Sequence, residues 1–154
     1  MPLTAELGEE WYPTFSPDAT EVGYIWRNAN GDTDIYRRSI ENGTVMPLTF
    51  DRKEKHCLSW SPDGRTLAFC RELEPNRSAI ILLTVGDAAE RELTTGFIPR
   101  DLDMGETVAW SPDGRFIIAS IDRKWSAAPG LHRIQVDSGE SIRLHPATGR
   151  HLLR

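Results

Sequence analysis

Residues 60–69 read Trp-Ser-Pro-Asp-Gly-Arg-Thr-Leu-Ala-Phe, and this stretch decides the fold. Ser-Pro-Asp-Gly suits a type I turn: Ser opens it, Pro presets φ at the second position, Asp is accepted at the third and Gly follows. Gly64 can also adopt positive φ and form a bulge that adapts such a turn to a hairpin. Short apolar runs flank the turn, Cys57–Trp60 before it and Thr66–Cys70 after it. The segment reads as two strands joined tightly.

The same signature occurs twice more. Ser16-Pro17-Asp18 follows Phe15, and Ser111-Pro112-Asp113 follows Trp110, so the three aspartates are spaced by 45 and then 50 residues. The first copy is degenerate, with Ala19-Thr20 where the others have Gly-Arg. A shift of 45 lays Ile35-Tyr36 on Ile80-Ile81, Ile40 on Val85, and Leu48-Thr49 on Leu93-Thr94; the third copy needs one extra residue before its next apolar run. Further strands are predicted over Asp34–Ile40, Ala79–Val85 and Leu131–Val136, then over Val45–Thr49, Glu90–Thr94 and Ser141–His145. Pro13 falls in a first strand, and Pro2 and Pro47 in fourth strands. Since Pro is tolerated at sheet edges, each unit reads as a four-stranded meander with strands one and four outermost. The continuous run Ile80–Val85 implies a sheet covered on both faces. Sustained helical periodicity without Gly or Pro is absent. Repeats of this length and content make an all-β, partial β-propeller of about three four-stranded antiparallel blades.

Boundaries follow: one partial propeller domain over 1–154, with an orphan outer strand at 1–4, blade one at 11–50, blade two at 57–96, blade three at 106–146 and a tail at 147–154. The opening Met1–Thr4 matches Met46–Thr49, as the end of a unit whose earlier part is missing. The chain is therefore expected to be a segment of a longer propeller. Two copies joined head to tail is the competing arrangement, with self-association through open blade faces bearing Val22, Tyr24, Ile117 and Ile134.

Aromatic-Ser-Pro-Asp-Gly-Arg, then Asp34-Ile35-Tyr36, then Leu48-Thr49 and Leu93-Thr94, resembles the TolB-type, WD-repeat-like β-propeller family. The opening residues and the stretch 77–94 are most similar to propellers attached to bacterial winged-helix regulators and Ser/Thr protein kinases. The resemblance spans about residues 1–146. It implies a fold shared by many activities rather than one function.

Composition narrows the rest. The 154 residues carry 18 basic and 23 acidic side chains, a net charge of -5, which argues against a nucleic-acid partner. No apolar run reaches the length of a membrane span and the first residues do not form a signal peptide, so no membrane insertion is expected. The compartment is unknown from sequence, periplasmic if the parent is exported. There is no G-x-S-x-G, Walker loop, G-x-G-x-x-G, H-E-x-x-H or zinc-spaced Cys/His cluster, hence no expected catalytic residue, metal or cofactor.

Binding is expected on the variable loops between strands two and three and between blades, 27–33, 71–78, 122–130, 50–56 and 95–106. Candidate partner-face residues are Asn28, Asn30, Asp32, Glu72, Glu74, Arg123, Lys124 and Trp125. The alternating oxygen donors from Asn28 to Asp34 resemble a calcium loop, but no Glu stands at the twelfth position, and an Asn-Gly turn is preferred. Arg123-Lys124-Trp125 offers an aromatic and basic contact, against the plainer reading of a Trp lying on a neighbouring blade. Phe15, Trp60 and Trp110 read as core, Asp18, Asp63 and Asp113 as turn residues, and His56 and His132 as packed or solvated. Pairing Ser61 with Arg65 would set Cys57 opposite Phe69 and turn Cys70 to the other face, so both thiols are expected to stay reduced. The functional expectation is a non-enzymatic interaction or ligand-sensing module of a larger protein, its protein or small-molecule partner unknown. The alternative is an access-restricting propeller of a prolyl-oligopeptidase-like hydrolase whose catalytic domain lies elsewhere.

Overall fold

Each Ser-Pro-Asp turn is closed by its own side chains. In the computed structural model, which describes residues 8–98, 108–122 and 130–144, the serine hydroxyl donates to the aspartate carboxylate at 2.6 Å in all three turns. That carboxylate also accepts the amide of Thr20, Arg65 or Arg115. The serine oxygen in turn accepts the amide of Glu21, Thr66 or Phe116. Serine thus replaces a backbone carbonyl in the first ladder position. The loop is one residue longer than expected, closing Ser61 on Thr66 rather than on Arg65.

Twelve strands emerge from the described residues, arranged as three antiparallel sheets. The first holds β1 (Glu9–Phe15), β2 (Glu21–Arg27), β3 (Thr33–Ser39) and β4 (Val45–Pro47). The second holds β5 (Lys55–Trp60), β6 (Thr66–Glu74), β7 (Arg77–Thr84) and β8 (Glu90–Gly96). The third holds β9 (Val108–Trp110), β10 (Phe116–Ile121), β11 (Gly130–Gln135) and β12 (Ser141–Arg143). Each is a meander in sequence order, and Pro13 and Pro47 lie in the edge strands β1 and β4, where no ladder donor is lost. No helix occurs among the described residues. The expected outer strand at Met1–Thr4 and the tail at 147–154 lie outside them.

The backbone repeats more faithfully than the side chains. Positive φ recurs at matched positions: Tyr12 and Cys57 at 54°, Gly31 and Asn76 at 87° and 66°, and Gly43, Ala88 and Gly139 at 73°, 57° and 73°. In the Ser-Pro-Asp turns Gly64 and Gly114 take 73° and 71°, while Ala19 is held at 57° in the degenerate copy. The amides of Ile40, Val85 and Val136 donate to the carbonyls of Thr20, Arg65 and Arg115, which fixes the third strand of every unit to its turn.

Tyr12 and Cys57 are bulge residues. The register of β1 on β2 shifts between Trp11 and Thr14, and that of β5 on β6 between His56 and Leu58. Leu58, not Cys57, therefore faces Phe69, and His56 faces Cys70. The expected cysteine register is corrected accordingly.

Two apolar layers hold the sheets together. Ile25, Ile35 and Leu48 meet Trp60, Leu67, Phe69, Ile81 and Leu83 in one. Ala68, Ile80 and Leu82 meet Val108, Ile117, Ile121 and Ile134 in the other. Alternate residues of β7 thus enter opposite layers, which is why Ala79–Leu83 is apolar throughout, while Thr84 at the strand's end is exposed. Ile117 and Ile134 are wholly buried against the second sheet, and Val22 and Tyr24 are buried too, the Tyr24 ring stacked 6.0 Å from Tyr36. These four do not form open faces, contrary to expectation. Strand alternation puts Leu131 and Ile142 on the exposed side of the third sheet instead.

Aromatics before the turns act across sheets. Trp60 is buried with its ring over Gly23, where an added Cβ would stand 3.4 Å from it. The Trp110 indole donates to the Ser59 carbonyl at 3.1 Å. Each covers the sheet before its own. No sheet precedes the first among the described residues, and Phe15 is 64% exposed, a correction to its expected place in the core.

Replacing Ala19 with Gly should raise stability by about 1 kcal/mol, because a left-handed residue loses its Cβ penalty; urea denaturation measures it. The serine hydrogen bonds chiefly hold Asp18, Asp63 and Asp113 below the ordinary 3.8. A carboxyl lowered on folding stabilises above its unfolded value, and the contribution disappears as pH falls through the folded one. Wild type should therefore lose stability below pH 3.8 more steeply than the D18N/D63N/D113N variant, as read from thermal melts against pH.

Candidate binding face

Antiparallel order brings the β2–β3 loop and the connection between the first two sheets to one edge. Arg27 pairs with Glu54 at 3.8 Å, the Glu72 amide donates to the Glu54 carbonyl, and the Thr33 hydroxyl donates to the Lys53 carbonyl. This is the edge where binding residues were expected.

Behind it lies a buried cation. The Lys55 side chain is fully enclosed, and Nζ donates to the carbonyls of Thr33 at 2.7 Å and Lys53 at 2.8 Å, to Asp34 at 3.3 Å, and to Asp51. Asp51 also pairs with Arg71 Nε at 2.8 Å, and Arg71 forks onto both oxygens of Glu90 at 2.7 Å. Burial disfavours the Asp51 carboxylate, but the Lys55 hydrogen bond and the Lys55 and Arg71 charges outweigh it and hold the carboxyl below its usual value. Burial also disfavours the Arg71 cation, and Glu90 and Asp51 reverse that effect. A buried charge satisfied this fully is a structural clasp between the two sheets, and removing one partner would strand the others.

The recurring dipeptides now have a physical meaning. Thr49 Oγ1 accepts the Ile35 amide at 2.9 Å and donates to Asp34 Oδ1 at 2.8 Å. Leu-Thr and Asp-Ile-Tyr are therefore one interaction written in two places. In the second unit Ala79 stands where the first has Asp34, and the buried Thr94 hydroxyl has no hydrogen-bond partner.

The sequence-selected residues divide. Asn28 Oδ1 accepts the amides of Asn30 at 2.9 Å and Asp32 at 3.0 Å, while its Nδ2 donates to Asp32 at 3.1 Å. These side chains are spent on closing the turn around Gly31, rather than arrayed around a cation. Glu72 and Glu74 are not loop residues: β6 runs through both, and a tight turn at Asn76 leads into β7. The loop expected over 71–78 is thus mostly ladder, and Glu74 pairs with Arg77 at 3.9 Å on the surface. Arg123, Lys124 and Trp125 lie outside the described residues. Missing from the sequence reading were Lys55, Asp51 and Arg71, which no motif marks. Cys57 and Cys70 were placed on opposite faces and His56 was read apart from both, yet the three come together in space. A cavity of about 330 Å³ opens on the other edge, between the second and third sheets and beside the turns, lined by Asp63, Thr66, Glu90, Arg91 and Trp110.

No protein-family model matches the sequence. The chain is 30% identical over 115 residues to the uncharacterized peptidase YuxL of Bacillus subtilis, a match covering 71% of this chain and 17% of that protein. TolB from Acinetobacter baumannii superimposes with a TM-score of 0.73 at 22% identity, over 94% of this chain and 34% of that one. The acylaminoacyl peptidase of Pyrococcus horikoshii superimposes with a TM-score of 0.68 at 15% identity, over 89% and 25%. The fold is a TolB-type β-propeller, of which the described residues form three blades, and the chain spans well under two thirds of each of these proteins.

Thr49→Val should cost about 1–3 kcal/mol by stranding the Ile35 amide, whereas Thr94→Val should be neutral or stabilise by about 1 kcal/mol. Paired chemical-denaturation curves distinguish the two sites.

Proposed function

We propose that this chain is a non-enzymatic binding module of a larger protein, holding a protein or small ligand on the edge formed by the 28–32 loop and the 48–54 connection. The observation that carries this reading is the Lys55 clasp, which ties the 51–53 connection and the start of β3 in the first blade to β5 of the second through a satisfied buried charge. Loops so held form a rigid polar surface, the kind of platform on which binding residues are usually mounted. No helix among the described residues is long and apolar enough to cross a membrane, and the acidic net charge of -5 disfavours nucleic acid.

A second reading rests on the likeness to YuxL: the propeller of a prolyl-oligopeptidase-like hydrolase, restricting which substrates reach a catalytic domain. The sequence carries no G-x-S-x-G, so under this reading too the blades contribute no nucleophile.

Incubating the isolated chain with chromogenic aminoacyl and peptidyl anilides should give no turnover; steady hydrolysis by this chain alone would sink both readings. Replacing residues 28–32 by a glycine linker within the parent protein separates them. Altered discrimination between short and long peptides would favour the gate, and unchanged hydrolysis would favour the binding module.

A further inference from the structure

Successive residues of a strand point to opposite faces, so a His-Cys pair in a strand does not ordinarily present both side chains to one ligand. The bulge in β5 removes that restriction. Cys57 is held at a φ of 54°, out of the strand conformation, exactly one position after His56, which faces Cys70 across the ladder. As a result a His56 ring nitrogen, the Cys57 Sγ and the Cys70 Sγ all lie within 4.8 Å of one another. The three residues are 2%, 2% and 0% exposed.

We propose that His56, Cys57 and Cys70 form a site for a thiophilic d10 cation, zinc(II) or copper(I). The bulge itself belongs to the blade, since Tyr12 repeats it. Only its occupants differ: the first blade places Trp11, Tyr12 and Ile25 where the second places His56, Cys57 and Cys70. Imidazole and thiolate are the donor types such ions select. With metal–sulfur distances of about 2.3 Å, two sulfurs on one ion stand about 4 Å apart, so the cluster needs only a small contraction to close. Binding forms two metal–sulfur bonds and one metal–nitrogen bond; each thiol loses its proton to solvent, and neutral imidazole donates a lone pair. With zinc(II), two thiolates leave the centre uncharged, which suits the surrounding layer of Ile80, Ile98 and Ile121. With copper(I), three donors complete a trigonal centre.

The test uses the whole chain, reduced and stripped with chelator, then titrated with zinc(II), or with copper(I) under argon, and desalted. Cobalt(II) serves as the optical probe. Expected are one metal ion retained per chain, a thiolate-to-cobalt charge-transfer band saturating at one equivalent, and slower alkylation of both thiols. Cys70→Ser should weaken binding by more than the roughly 10–100-fold that loss of an outer-shell partner costs. The wild-type cobalt spectrum needs no variant, so the proposal stays testable if that substitution prevents folding. No retained metal together with no charge-transfer band would overturn it, showing ordinary core thiols. A Cys57–Cys70 disulfide that forms in air and is not prevented by either metal would overturn it as well. Retention of only one of the two metals keeps the site and identifies its ion.

Discussion

Everything in these blades is set by where a serine hydroxyl stands. By taking the amide that a carbonyl would otherwise accept, Ser61 fixes the register of β5 on β6. A slip of one residue would turn every side chain of a strand to the wrong face. Since the second sheet is packed on both sides, such a slip would exchange the contents of two apolar layers at once. Trp60 would lose the first sheet, and Leu67 and Phe69 would leave the layer they share with Ile25 and Ile35. The aspartate two residues on holds the hydroxyl in place, so a dyad within one turn governs the arrangement of two apolar layers.

The fold was legible because the turn carries its own chemistry in consecutive residues, and because the repeat places that chemistry three times. Strand order followed from Pro13 and Pro47, and two-sided burial from Ile80–Val85. The exact pairing was not legible, since it hinges on a hydroxyl acting as backbone and on an extra residue in β1 and in β5. Nothing in the letters His56-Cys57 or Trp11-Tyr12 marks a bulge: the residues there are not glycine, and the conformation is imposed by the surrounding ladder. Likewise Arg71–Ser78 reads as a loop from Glu74-Pro75-Asn76 but pairs almost to its end. Lys55 was invisible for a different reason. Its partners come from a strand, a connection and two carbonyls, a set that exists only after the sheets have packed.

The two seams of the molecule are built differently. Between the first and second sheets an apolar layer is bordered by the Lys55 clasp, whose charges and carbonyls are directional. Between the second and third sheets the apolar layer is supplemented by the Trp110–Ser59 bond, the Arg91–Val136 bond at 2.6 Å and the short Phe97–Asp122 bridge. There Gly96 permits close approach, since a Cβ would stand 2.8 Å from Ile121. One boundary is specified by charge geometry and the other by fit, although the blades themselves share a backbone.

The aromatic residue ahead of each turn also gives the array a sense of direction. Trp60 and Trp110 reach backward only, Trp60 onto the first sheet and Trp110 onto the second, so the second sheet both offers a ring and receives one. Blades linked in this way behave like bricks with a peg on one side and a socket on the other. Among the described residues the array has two unlike sides, an exposed ring at Phe15 and exposed Leu131 and Ile142 on the third sheet. Its growth is vectorial, and any closed assembly built from it must join head to tail.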